Sequence, residues 1–171
     1  FGRIGSAVAR RAIGSGMNVI YVTRSQPEDD LGCERVGTLN ELLGRSDFVT
    51  LHCPLTPETN RLIGTEELKR MKPEASLINT ARGPIVDTEA LTAALRNGEI
   101  AYAALDVTDP EPIPADHPLV SMENVTIVPH IASATVGTRR KMSEMAVDNI
   151  LATIEGKLPP NCVNAGDINW S

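Results

Sequence analysis

The chain has 171 residues, a length that suits one α/β domain with a real core. Apolar residues make up 42%, charged residues 22% and aromatics only 3%, so a globular chain with an aliphatic core is expected. The formal net charge of −6 argues against nucleic acid or an anionic membrane as a partner.

Strand and helix patterns alternate along the chain. Ile4 to Ile13 reads as a helix with small residues on one side and arginines on the other, ended by Gly14 and Gly16. Met17 to Thr23 is a β-branched, mostly apolar run that predicts a buried strand. A short helix is expected over Leu39 to Leu43 and a strand over Phe48 to His52, which Cys53-Pro54 stops. Glu66 to Met71 predicts a helix closed by Lys72-Pro73, and Ala75 to Asn79 a third strand. Asp87 can cap a helix that runs to Leu95, with Asn97-Gly98 closing it. Ile100 to Asp106 and Val125 to Val128 predict two further strands, separated by a proline-rich loop from Asp109 to Pro118. A long amphipathic helix is expected from about Thr138 to Glu155, followed by a tail containing Pro159 and Pro160. This alternation predicts a parallel, doubly wound sheet, which binds ligands beyond the carboxyl ends of its strands. No apolar run approaches the ~20 residues that cross a bilayer. Cys33, Cys53 and Cys162 are odd in number and lack C-x-x-C spacing, so reduced thiols of a cytoplasmic protein are expected, with neither a disulfide framework nor a metal site.

The opening residues Phe1-Gly2-Arg3-Ile4-Gly5 read as the remainder of G-x-G-x-x-G, with the first glycine and its strand expected upstream. Gly2 would let backbone approach a pyrophosphate, Gly5 would let the helix pack on the sheet, and the helix N-terminus would receive the anion. About 20 residues later, where a carboxylate usually holds the ribose 2′-hydroxyl, the chain reads Thr23-Arg24-Ser25. An arginine flanked by two hydroxyls suits a 2′-phosphate, so NADP(H) is the expected coenzyme, with NAD(H) second.

Three residues follow three strands. They are Arg82 in Asn79-Thr80-Ala81-Arg82-Gly83, Glu111 in Asp109-Pro110-Glu111-Pro112, and His130 in Val128-Pro129-His130-Ile131. Reduction of a 2-keto acid needs a carboxylate anchor, a hydride donor and a proton donor. Arg82 can anchor the carboxylate through its planar fork. His130, as imidazolium, can give the proton. Glu111 would favour the charged imidazole. Asp106, at a strand end, could accept from the nicotinamide carboxamide. His52 and His117 read as structural.

These motifs, together with Pro84-Ile85-Val86-Asp87, Leu105-Asp106-Val107 and Thr135, resemble the D-isomer-specific 2-hydroxyacid dehydrogenases over nearly the whole chain. The stretches 106–112 and 129–135 look most like the glyoxylate/hydroxypyruvate reductase branch. The resemblance implies that Arg82, Glu111 and His130 are catalytic and that Thr80, Ala81 and Asp106 face the coenzyme. Gly2, Arg3, Ile4, Gly5, Thr23, Arg24, Ser25, Cys53, Pro54, Thr59, Arg82, His130 and Ser133 are expected on the coenzyme side as well. It implies a dinucleotide-binding domain over residues 1–151, and a segment 152–171 that joins a substrate domain supplied by other parts of the chain. It further implies a homodimeric whole protein acting on a small 2-keto or 2-hydroxy acid, with this stretch inactive by itself. Two alternatives stay open: a phosphoglycerate- or lactate-type dehydrogenase, and a dinucleotide-sensing, corepressor-like binding protein. The absence of an acidic residue near Thr23 speaks against the first, Arg24 speaks against the NAD(H)-dependent second, and Glu111 speaks against a formate dehydrogenase, which carries Gln there.

Overall fold

A computed structural model describes residues 1–168. The chain forms two compact units, one ending at Pro129 and one beginning at His130.

In the first unit, α1 (Arg3–Gly14) leads to β1 (Ile20–Tyr21), which pairs in parallel with β2 (Glu34–Arg35). Then follow α2 (Leu39–Arg45), β3 (Phe48–Leu51), α3 (Thr65–Arg70), β4 (Ser76–Asn79), α4 (Thr88–Asn97), β5 (Tyr102–Leu105), α5 (Pro118–Ser121) and β6 (Val125–Ile127). Strands β3, β4, β5 and β6 lie side by side in chain order, all parallel. Each link between them carries a helix, because a parallel strand can only be reached by a crossover. This is the expected parallel α/β architecture, of the Rossmann type.

The strand registers explain the core. Alternate residues Val49 and Leu51, Leu77 and Asn79, and Ala103 and Leu105 are buried, and β4 aligns Leu77 with Val49 on one side and Ala103 on the other. Leu43 of α2, Leu68 of α3, and Leu91, Ala94 and Leu95 of α4 close over this sheet. The buried hydrophobics are aliphatic apart from Tyr21, as the composition predicts. The α4 boundaries also follow the sequence. Asp87 accepts the Ala90 N–H at 3.0 Å, and Gly98 ends the helix in the left-handed region at φ 68°.

Two expectations need correction. The buried strand read over Met17 to Thr23 contracts to Ile20–Tyr21, with Met17 and Val22 exposed. Its partner β2 was not foreseen, because Glu34 and Arg35 are both exposed and carry no apolar period; backbone pairing alone makes the strand.

The second unit contains α6 (Val136–Ile154) and a 3₁₀ turn at Ala165–Asp167. Thr135 caps α6 by accepting the Thr138 N–H at 3.2 Å, so the helix starts two residues before the expected position. Val147, Ile150, Leu151 and Ile154 do recur at the spacing of one helical face. All four are exposed, and no α6 residue is buried, so the stripe does not pack within this unit. The segment expected at 152–171 extends past the described residues at 169–171.

Candidate active site

The amino end of α1 is an uncapped helix N-terminus. Gly2 precedes it in extended conformation, without a side-chain bond, and the first turn carries no acidic residue. A Cβ at Gly2 would meet nothing within 4 Å, so the approach to the first-turn N–H groups is open. These N–H groups lack carbonyl partners within the helix, and the helix dipole adds positive potential. Gly5 is buried against His52 of the β3 end, where a Cβ would stand 3.6 Å from the His52 Cβ. That is an ordinary contact, so the packing here is close without demanding glycine. His52 Nε2 lies 3.0 Å from Thr50 Oγ1, and burial pulls its imidazole below the usual range, in keeping with a structural role.

Two loops lie near this helix end. Thr23, Arg24 and Ser25 follow β1, and Cys53, Pro54 and Thr59 follow β3. Burial pushes the Cys53 thiol up, while the Arg24 charge pulls it the other way. Glu58 is held below the usual carboxylate range chiefly by a hydrogen bond with Thr56, and Arg24 contributes. Arg24 is therefore near enough to the second loop for its charge to be felt there. Thr59 is buried, donates to the Pro54 carbonyl at 2.6 Å and accepts the Thr56 N–H at 2.8 Å. Its hydroxyl shapes the loop from inside.

Arg35 was not singled out from the sequence. It donates to the Thr23 carbonyl and to Gln26 Oε1, both at 3.1 Å, and so holds the loop that presents Arg24. An exposed arginine in a polar stretch gives no sequence signal for this.

The loop beyond β4 is organised by Asn79, the last residue of that strand, also missing from the expected site. It is 1% exposed. Its Nδ2 donates to the Arg82 carbonyl at 2.9 Å and its Oδ1 accepts the Ala81 N–H at 3.0 Å. Both ends of the amide are used, which bends Thr80–Arg82 into a fixed loop. Thr80 and Arg82 stand exposed on that loop, and Arg82 Nη1 donates to the Ala81 carbonyl at 2.6 Å. The Asn79 carbonyl accepts the Asp106 N–H at 2.9 Å, so the β4 and β5 ends are joined through one residue. Asp106 is buried just past β5, and Glu111 is exposed five residues further on. A sequence signal for Asn79 existed: a fully polar side chain closing a buried strand needs partners, and the loop beyond it is the nearest source.

His117 caps α5, accepting the Leu119 N–H on Nδ1 at 3.2 Å, and is structural as expected. In the second unit, His130 and Ser133 are exposed. His130 has φ 53°, a left-handed backbone that is uncommon for a residue with a side chain. Such conformations persist where the surroundings over-determine them, and they cluster at functional positions. Among the described residues, no group of three or more His, Cys, Asp or Glu could hold a metal ion, and no helix is long and apolar enough to cross a membrane.

Comparison with known proteins gives these features a context. Residues 1–132 match the family described as D-isomer specific 2-hydroxyacid dehydrogenase, NAD binding domain. The chain is 53% identical over 166 residues to a glyoxylate reductase of Korarchaeum cryptofilum, a match covering 95% of this chain and 50% of that protein. It superposes with TM-score 0.84 and 40% identity on an NADPH-dependent glyoxylate/hydroxypyruvate reductase of Sinorhizobium meliloti in complex with NADP and malonate, over 90% of this chain and 47% of that one. A D-isomer specific 2-hydroxyacid dehydrogenase of Lactobacillus delbrueckii, in its NAD-complexed form, superposes with TM-score 0.86 at 37% identity, over 95% and 54% of the respective chains. The chain thus spans about half the length of the relatives it matches.

Proposed function

The chain belongs to the D-isomer specific 2-hydroxyacid dehydrogenases, and from this premise we propose that it is the dinucleotide-binding part of an NADPH-preferring reductase of glyoxylate or hydroxypyruvate. The observation that carries the proposal is the pair of loops beyond β4 and β5, with Asn79 holding Arg82 out on one and Glu111 standing on the other. A parallel sheet offers its ligands this edge.

Gly2 to Gly5 would hold the pyrophosphate, with Thr23, Arg24 and Ser25 on the 2′-phosphate. Cys53, Pro54 and Thr59 would line the adenosine side, and Thr80, Ala81, Asp106 and Ser133 the nicotinamide side. The coenzyme, when bound, supplies a hydride. Arg82 binds the substrate carboxylate with two parallel N–H donors and orients the carbonyl. A ring N–H of His130 holds the proton destined for the carbonyl oxygen. Glu111 serves the same reaction as its carboxylate, from the loop beyond β5. The substrate is the 2-keto acid, and the product the 2-hydroxy acid. Residues 152–171 join the substrate domain of the complete protein, which acts as a cytoplasmic homodimer.

The NADPH preference rests on Arg24 and on the NADP-bound relative from Sinorhizobium. The test is steady-state turnover by the complete protein, with glyoxylate and with hydroxypyruvate, each with NADPH and NADH. A kcat/KM higher with NADPH is the expected result. An NADH preference would remove the Arg24 assignment, and no turnover of either acid would remove the substrate assignment.

A further inference from the structure

The loops that carry Arg82 and Glu111 touch through backbone. Gly83 follows Arg82 directly, and a Cβ on it would fall inside the Thr108 carbonyl group. Glycine is required there for the contact itself, since Gly83 is not in the left-handed region. A second link comes from Thr88, the first residue of α4. Its Oγ1 donates to the Asp109 carbonyl at 2.8 Å, across 21 residues of sequence. On the far side, Thr108 Oγ1 donates to the Pro110 carbonyl at 2.9 Å and tightens the same turn.

The helix does not need the Thr88 bond for its own stability. Asp87 already caps α4, and Leu91, Ala94 and Leu95 anchor it in the core. What the bond fixes is the Asp109 carbonyl, two residues before Glu111. Pro110 and Pro112 flank Glu111, and each has a ring-locked φ. A displacement at Asp109 therefore carries to Glu111, with little slack between.

We propose that Thr88 is a positioning residue for Glu111, and that Thr88 and Gly83 together form a brace setting the separation of the Arg82 and Glu111 loops. The brace rests on the functional reading above. It keeps the Arg82 and Glu111 loops in register within one compact unit.

The test is made in the complete protein with Thr88→Val, which deletes the donor at nearly constant shape, and Thr88→Ser, which restores it. Thr88→Val should lower kcat/KM for the keto acid about 10- to 100-fold, the scale of a displacement near 1 Å, and leave the coenzyme Kd unchanged. Thr88→Ser should return kcat/KM to the wild-type value. Hydrogen exchange supplies a readout apart from activity: the amides of residues 106–109 and 111 should lose protection in Thr88→Val and keep it in Thr88→Ser. Unchanged protection overturns the brace whatever the substrate. A Thr88→Val enzyme with wild-type kcat/KM also overturns it, as does a loss of kcat/KM that Thr88→Ser fails to restore. Gly83→Ala should equal or exceed Thr88→Val where it folds; where it does not, the Thr88 pair decides. Glu111→Gln run in parallel separates the two levels. If it lowers kcat/KM and Thr88→Val does not, the brace alone fails; if Glu111→Gln leaves kcat/KM in place, the role given to Glu111 fails first.

Discussion

The four-stranded sheet and the β1–β2 pair sit in one compact unit but are built differently. Strands β3, β4 and β5 each have four residues with alternate ones buried, and helices α2, α3 and α4 close over them. The β1–β2 pair has two residues per strand, with Tyr21 its one buried residue. The proposed chemistry divides along the same line. Arg82, Asp106 and Glu111 extend from the well-packed sheet, while Arg24 extends from the thin pair. Bond-making groups need positions fixed to a fraction of an ångström, and a dense core transmits little slack. A phosphate clamp works mainly by charge and tolerates a looser support.

The strongest test of this division is Arg82→Ala in the complete protein. It should lower kcat/KM for the keto acid by about 10³-fold, ~4 kcal/mol, with the coenzyme Kd unchanged. An equal loss in coenzyme binding would mean that the two halves are not separate in function. Next is a stability pair read by chemical denaturation. Leu77→Ala, at a fully buried site, should cost about 3 kcal/mol. Val22→Ala, 38% exposed beside β1, should cost less than about 1 kcal/mol. Similar costs would erase the contrast in packing. Third, Arg24→Ala should reduce kcat/KM with NADPH about 30-fold, ~2 kcal/mol, and barely alter that with NADH. Equal losses with both coenzymes would make Arg24 a general support for the loop.

The smallest effect is expected at Arg45, which joins α2 to β2 through two bonds to Glu34, at 2.7 and 2.6 Å. The Arg45 guanidinium holds the Glu34 carboxyl below its usual range. A lowered carboxylate value means that the contribution is present at neutral pH and is lost as pH falls through the folded-state value. Both partners are exposed, so the effect is slight. The Tm difference between wild type and Arg45→Ala should be small at pH 7 and vanish in acid. A difference growing in acid would contradict the sign.

Much of the fold could be read from apolar runs: strands β3 to β6 are stretches in which burial and composition agree. Strand β2 could not, because Glu34 and Arg35 are held by backbone pairing with β1 and bury no side chain. At the candidate site, Arg82, Glu111 and Arg24 were picked out by chemical type, and their roles are proposals. The site was illegible where a residue acts through geometry. Asn79 works by bending the loop behind it, Arg35 by gripping a carbonyl 12 residues away, and Gly83 by coming up against a carbonyl 25 residues on. Thr59 shows the reverse case: the residue was expected on the coenzyme side, while its hydroxyl is occupied within its own loop.

The left-handed backbone of His130 limits which amino acids can be exchanged there. Valine, isoleucine and threonine would meet a steric obstacle before any question of acid chemistry arose, so an inactive variant of that kind would say nothing about proton donation. Asparagine visits this conformation readily and cannot serve as an acid at neutral pH. Of the replacements that remove the imidazole, it is the one that separates loss of the proton from loss of the turn.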